Sequence, residues 1–168
     1  VSTTAFYNGM STTGVSGQIN IASGDINRDG IDDLFLPTNS NNTGTEARLY
    51  YGQGDGTYSA ATVITTPLVG PYDAVIGDFT GDGWNDVMLS YSVTSGGTQK
   101  LSLYANNGSG SLSTSTEIAI TGSPTSGNRT CNIEKGYIDS NSSRDLVAIC
   151  YTTSNAFVLI NNGSGTFT

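Results

Sequence analysis

Short apolar stretches, broken by clusters of Gly, Asn and Ser, set the rhythm of this chain. "AVIGDF" (74–79), "DVMLSYS" (86–92), "KLSLYAN" (100–106) and "TEIAI" (116–120) are rich in Val, Ile, Leu, Thr and Tyr and are bounded by turn residues. That is the signature of strands. No amphipathic helical period of useful length appears, and the density of glycine opposes one. The pattern predicts a unit of four antiparallel strands.

The unit repeats. "GDINRDGIDDLFL" starts at Gly24, "GDFTGDGWNDVML" at Gly77 and "GYIDSNSSRDLVAI" at Gly136. A second landmark, "YGQGDGTY" (51–58), "NNGSGSL" (106–112) and "NNGSGTF" (161–167), follows in phase. Its last glycine lies 32, 33 and 29 residues behind the first glycine of the motif. Two landmarks keeping step at periods of 53 and 59 residues place the chain among blade-like arrays. The acidic loop joins strands one and two, and the Asn/Gly turn joins strands three and four.

A four-stranded sheet cannot bury both faces alone, so the units must stack. The expected fold is all-β, with β-propeller-type blades of four antiparallel strands, about three of them in an incomplete ring. Residues 1–17 form an N-terminal segment, 18–70 the first blade, 71–128 the second, and 129–168 a third without its fourth strand. "QINIAS" (18–23) opens the first blade. "STTAFYN" (2–8) is a candidate outermost strand that completes the third blade in cis or pairs with a neighbouring molecule. Closed propellers begin at about four blades. The expected partners are therefore further blades of a larger chain or other copies of this one.

The acidic loops carry the candidate chemistry. Counted from the first aspartate, positions one, three, five and nine are Asp25, Asn27, Asp29 and Asp33, then Asp78, Thr80, Asp82 and Asp86. Gly occupies position six, and the carbonyls of Ile31 and Trp84 at position seven complete each set. Alternating oxygen donors around a tight turn suit Ca²⁺, which takes six to eight oxygens, better than Mg²⁺ with its strict octahedron. The bidentate Glu and flanking helices of an EF-hand are missing. The competing reading is a pair of ion-free Asp/Asn/Gly turns. Carboxylate repulsion and the repetition of the pattern favour two Ca²⁺ sites, with affinity of about 10⁻⁴ to 10⁻³ M as in extracellular modules. In the third loop Tyr137, Asn141 and Ser142 replace an Asp, an Asp and the Gly, so this loop is expected to be empty, with Arg144 offsetting Asp139 or Asp145.

Cys131 and Cys150 flank that loop at nearly equal distance and should face each other on adjacent strands. With no His and no zinc-type spacing, a disulfide is the better reading, and two buried free thiols the alternative. It implies an oxidising, extracellular setting. Net charge is −8, but nine of the fourteen acidic residues lie in the three loops, so the acidity is local. It argues against a nucleic-acid partner. No apolar run approaches the roughly 20 residues of a membrane-spanning helix, and no signal-peptide pattern is present.

The paired motifs resemble FG-GAP/VCBS repeats, related to the blades of integrin α-subunit propellers, over roughly residues 18–168. The resemblance implies a β-propeller with Ca²⁺ in the strand 1–2 loop of each matching blade. Members of that family are mostly extracellular and serve in adhesion, lectin-like recognition or as modules attached to enzymes. The expected function is a non-enzymatic, Ca²⁺-stabilised structural or adhesive module at the cell surface or secreted. One version is a filament subunit built by strand exchange, and another a fragment of a larger adhesin. A carbohydrate-binding module is the alternative, with Tyr50, Tyr51, Tyr58, Tyr72, Trp84, Tyr91, Tyr104 and Tyr151 as candidate stacking platforms for glycans. An enzyme is the least expected class, because without His a nucleophile lacks its usual base and Glu46, Glu117 and Glu134 stand apart.

Overall fold

The computed structural model describes residues 20–38, 44–92, 97–112, 115–123, 130–151 and 155–168. Among them there is no helix, and eleven strands form three antiparallel sheets. The first sheet runs β1 (Ala22–Gly24), β2 (Asp33–Pro37), β3 (Glu46–Tyr50) and β4 (Thr62–Thr65) in sequence order. The second repeats this with β5 (Pro71–Gly77), β6 (Asp86–Tyr91), β7 (Lys100–Tyr104) and β8 (Thr116–Ala119). The third holds β9 (Cys131–Gly136), β10 (Asp145–Cys150) and β11 (Asn155–Leu159), with β11 at its edge. No sheet closes on itself. The candidate strand at residues 2–8 lies outside the described residues.

The sheets stack face to face, with the second in the middle. Alternation of side chains along a strand sends Ile76, Val87, Leu89, Tyr91 and Tyr104 toward Ala22, Phe35, Ala47 and Leu49 of the first sheet. The opposite set, Val75, Met88, Leu101 and Leu103, meets Ile133, Leu146, Ala148 and Leu159 of the third. Every residue of β6 is therefore buried, whereas Val147 and Ile149 of β10 point outward and keep exposure. The difference lies in stacking order, since the two strands have similar sequences.

The first strands of the sheets, β1, β5 and β9, lie side by side along one edge of the stack. Asp73, on the bulged segment of β5, ties two of them together. Its carboxylate accepts the Ile133 N–H at 2.8 Å and the Ala74 N–H at 3.0 Å. Burial pushes its carboxyl above the usual range, against the downward pull of those two amides. A carboxyl whose folded value is raised stabilises the fold fully below its unfolded value of about 3.9, and that contribution is lost as pH rises through the folded value. The metal-free chain is therefore expected to melt higher, relative to Asp73→Asn, as pH falls from 7 into the range below 5. A pH-independent melting difference between the two proteins removes this assignment.

Cys131 and Cys150 form a disulfide between directly opposed residues of β9 and β10, with Cα atoms 4.1 Å apart. Its cross-link spans 19 residues, which corresponds to about 3 kcal/mol in the chain-entropy account. Reduction is expected to lower thermal stability by that order, read as the melting shift between the oxidised chain and Cys131→Ala/Cys150→Ala.

Candidate functional site

The acidic loops connect β1 to β2, β5 to β6 and β9 to β10, as their phase in the sequence requires. In the first, Asp25 receives the N–H groups of Asp29 (3.2 Å) and Gly30 (2.9 Å). Asn27 Oδ1 receives Asp29 N–H at 3.0 Å, and Asp29 Oδ1 receives Ile31 N–H at 2.9 Å. The second loop follows a similar scheme with position four in place of five: Asp78 receives Gly81 (2.7 Å) and Gly83 (2.9 Å), and Asp82 receives Trp84 at 2.8 Å. Gly30 and Gly83, at position six, both sit at φ +85°, a conformation that costs other residues strain. Ser142 at position six of the third loop does not adopt it, because Arg28 is the only non-glycine with positive φ among the described residues. The third loop therefore differs in shape as well as in charge. Asp139 there receives the N–H of Asn141 at 2.9 Å.

Position nine behaves differently from the rest. Asp33, Asp86 and Asp145 have no accessible surface, and each staples its loop to the turn that follows the third strand of its own sheet. Asp33 receives Ile26 and Gly52 N–H, both at 2.9 Å. Asp86 receives Phe79 (2.9 Å), Thr80 (3.0 Å) and Asn106 (2.8 Å). Asp145 receives Ile138 and Asn161, both at 2.8 Å. Burial pushes the Asp33 and Asp86 carboxyls up against these donors. At Asp145 burial works in the same direction, but the N–H groups of Asn161, Ile138 and Asp139 together win and hold it below the usual range.

Two residues that sequence reasoning passed over join one sheet to the next. The amide of Asn106 donates to Ile26 O of the preceding sheet (2.9 Å) and to Asn85 O of its own loop (3.0 Å). Asn161 does the same to Phe79 O (2.8 Å) and Arg144 O (3.0 Å). Each Oδ1 also receives two N–H groups of its own turn, Gly108 and Gly110 or Gly163 and Gly165. The signal was present in "NNGSG", which occurs twice, against "GQGDG" in the first unit. Gly52 holds the equivalent place there, bridging to Tyr58 as Asn106 bridges to Leu112 and Asn161 to Phe167. A Cβ on Gly52 would lie 2.5 Å from Ile31 Cγ2 and 2.7 Å from Asp32 O, so an amide has no room.

Among the described residues, no three His, Cys, Asp or Glu side chains already converge on a common point. The donor set is nevertheless all oxygen, which suits a hard cation. Thr80 Oγ1, at position three of the second loop, is buried beside the Asp86 carboxylate without a well-formed hydrogen bond. A hydroxyl at that position is a further oxygen of the kind a hard cation accepts. The residues present thus fit Ca²⁺ in chemistry.

A scan of family profiles matches residues 25–89 to the FG-GAP-like repeat. Its span runs from the first acidic loop to β6, so the repeat is offset from the sheets and takes in parts of two of them. Among solved structures, a lectin from Agrocybe aegerita, described in terms of specific recognition of non-reducing terminal N-acetylglucosamine, is similar at 19% identity with a TM-score of 0.56. The alignment covers 87% of this chain and 36% of that one, and it shows the fold, a propeller-like stack of antiparallel sheets. No curated protein matches the chain.

The two junctions between sheets are filled differently. Within the matched segment, Arg28 at position four crosses from the first loop to the second, where it donates to Gly83 O and lies over the Trp84 ring at 4.5 Å. At the next junction the equivalent residues are Gly81 and Ser143. A polar cleft of about 370 Å³, lined by Asp78, Phe79, Gly81, Ser142, Ser143 and Gly163, opens there. Arg144 does not pair with Asp139 or Asp145. It lies over the Tyr137 ring at 4.1 Å, and the aromatic that replaces the first aspartate has drawn it away from the carboxylates. Of the candidate sugar platforms, Tyr50, Tyr91 and Tyr104 are core residues, and Trp84 is covered by Arg28. Tyr151 is the most exposed, at 83%. Glu117 pairs with Lys100 at 2.6 Å, while Glu46 and Glu134 are exposed.

Proposed function

We propose that the chain is a non-enzymatic, calcium-stabilised structural and adhesive module of the extracellular space. The observation that carries this is the duplicated loop of oxygen donors held at one end of two adjacent sheets. Asp25, Asn27, Asp29, the Ile31 carbonyl and Asp33 would hold one ion. Asp78, Thr80, Asp82, the Trp84 carbonyl and Asp86 would hold the other. A bound Ca²⁺ supplies the positive charge that lets three carboxylates share each loop. The disulfide and the FG-GAP-like repeat, both typical of extracellular proteins, support the setting. No helix among the described residues is long and apolar enough to cross a membrane. Calorimetric titration of the chelator-stripped chain tests the reading: two Ca²⁺ per chain, with Mg²⁺ much weaker, is the expected result. A stoichiometry of zero refutes it.

A second reading, glycan recognition, rests on the open cleft beside Ser142 and Ser143 and on the likeness to a lectin fold. Its hydroxyls and backbone carbonyls suit a hydroxyl-rich ligand. A glycan array probed with and without Ca²⁺ decides it. Filament growth by strand exchange would use the edge of β11 that no described strand pairs, and negative-stain imaging of the purified chain reads it directly.

A further inference from the structure

We infer that Lys135 and Arg144 form an oxyanion site beside the open cleft, and that it selects an acidic saccharide, one bearing a carboxylate or a sulfate. This rests on the glycan reading and names the class of sugar. Both side chains cross from the third sheet and its loop onto Gly77 of the second. A Cβ on Gly77 would lie 3.2 Å from Lys135 Cδ and 3.9 Å from Arg144 Cγ, so the two stems share one glycine floor. The chain neighbours of Gly77 and Arg144, Asp78 and Ser143, line the cleft of about 370 Å³.

The positive charge here has no internal partner. All fourteen acidic residues lie among the described ones, where the only ion pair is Lys100–Glu117. Neither Lys135 nor Arg144 therefore has a carboxylate within ion-pair reach, in a chain of net charge −8 with six cationic residues. An ammonium carries three donors, and that of Lys135 gives one to Ile76 O. Arg144 lies over the Tyr137 ring at 4.1 Å, and no described acceptor meets its guanidinium. That ring is 60% exposed, so the planar fork is held ready within reach of solvent. Burial, then the charge of Arg144, holds the Lys135 ammonium below its usual range, and Glu134 and Asp32 offset this only in part. An anion between the two cations relieves their repulsion.

The first junction shows that packing alone does not call for cations. There the equivalents of Lys135 and Arg144 are Ile76 and Asn85. A Cβ on Gly24 would lie 2.8 Å from Ile76 Cγ2, and Asn85 Nδ2 donates to Asp25 O at 2.7 Å. An apolar side chain and a satisfied amide close that junction, whereas two cations with donors to spare stand at the second. A carboxylate or sulfate accepts a guanidinium fork through two parallel hydrogen bonds. The hydroxyls of Ser142 and Ser143, next along the loop, suit the neutral groups of the same saccharide.

The test is calorimetric titration of the full chain at low salt with three tetrasaccharides. Hyaluronan carries carboxylates alone, chondroitin sulfate adds sulfates, and chitotetraose is neutral. At least one acidic probe is expected to bind about tenfold or more tightly than chitotetraose, and to weaken as salt rises. Arg144→Gln should remove that preference, with chitotetraose binding unchanged and melting within about 2 °C of the parent. Arg144→Lys keeps the charge but loses the fork. It should weaken the acidic probes several-fold, and it reads the site even where Arg144→Gln does not fold. Lys100→Gln, a cation outside the site, should change nothing. Hyaluronan binding assigns the carboxylate as the ligand group, and binding of chondroitin sulfate alone assigns the sulfate. Equal binding of all three overturns the inference and leaves the glycan reading standing. An acidic preference that survives both Arg144 variants, or that Lys100→Gln also abolishes, overturns it as well. No binding by any of the three overturns it too, and a silent glycan array in addition removes the reading beneath it.

Discussion

Calcium at 10 mM is expected to raise the melting temperature of the chelator-treated chain by roughly 10 to 20 °C. An ion that binds only the folded state stabilises by about 2.7 kcal/mol at a hundredfold excess over its dissociation constant. At the tight end of the extracellular range, near 10⁻⁴ M, two sites give about 5 kcal/mol, and a chain of this size shifts by about 2 to 4 °C per kcal/mol. The physical source is the repulsion among Asp25, Asp29 and Asp33 and among Asp78, Asp82 and Asp86. These carboxylates accept backbone amides of their own loops and turns. Asp25→Ala and Asp78→Ala should each remove about half of the calcium-dependent shift, and Asp139→Ala none. The single tryptophan, Trp84, lies in the second loop, so its emission should follow calcium in Asp25→Ala but not in Asp78→Ala. Equal melting in EDTA and in calcium refutes both ion sites together.

Asp86→Ala is expected to cost about 3 to 5 kcal/mol even in EDTA, a large share of the 5 to 15 kcal/mol that holds a domain together. The carboxylate has no accessible surface and satisfies three N–H groups, those of Phe79, Thr80 and Asn106. Truncation leaves all three donors without their acceptor, and it detaches the turn that carries Asn106 to the first sheet. Asp86→Asn keeps one acceptor oxygen and should cost less. Asp145→Ala should also destabilise, although its loop has lost the calcium pattern, because the same staple is made there. Chemical denaturation in EDTA separates the roles. If Asp86→Ala matches the parent chain without calcium, the residue serves the ion alone.

The loops show where residue spacing informs and where it falls short. Positions one, three and five were readable because Asx turns and alternating donors are made by residues two to five apart. Position nine read as one more ligand. Only the packed molecule shows Asp33, Asp86 and Asp145 buried against a turn that lies 16 to 20 residues further along the chain. Arg144 was assigned to a carboxylate on charge alone, and an adjacent aromatic face took it instead. Several of the tyrosines proposed as sugar platforms turned out to be core, because a strand position does not say which of its faces another sheet will cover.

By itself, the sequence determined the strands, their grouping into repeats, the place of each acidic loop and the pairing of Cys131 with Cys150. All of these follow from turn chemistry and period-two alternation within a repeat. Tertiary structure alone decided which apolar faces are buried and which amide reaches which carbonyl. Ile26, Phe79 and Ile138 hold the same place in their repeats, yet their exposure depends on whether a neighbouring sheet lies over them. Asn106 and Asn161 look like turn residues until the preceding sheet supplies their acceptors, 80 and 82 residues away.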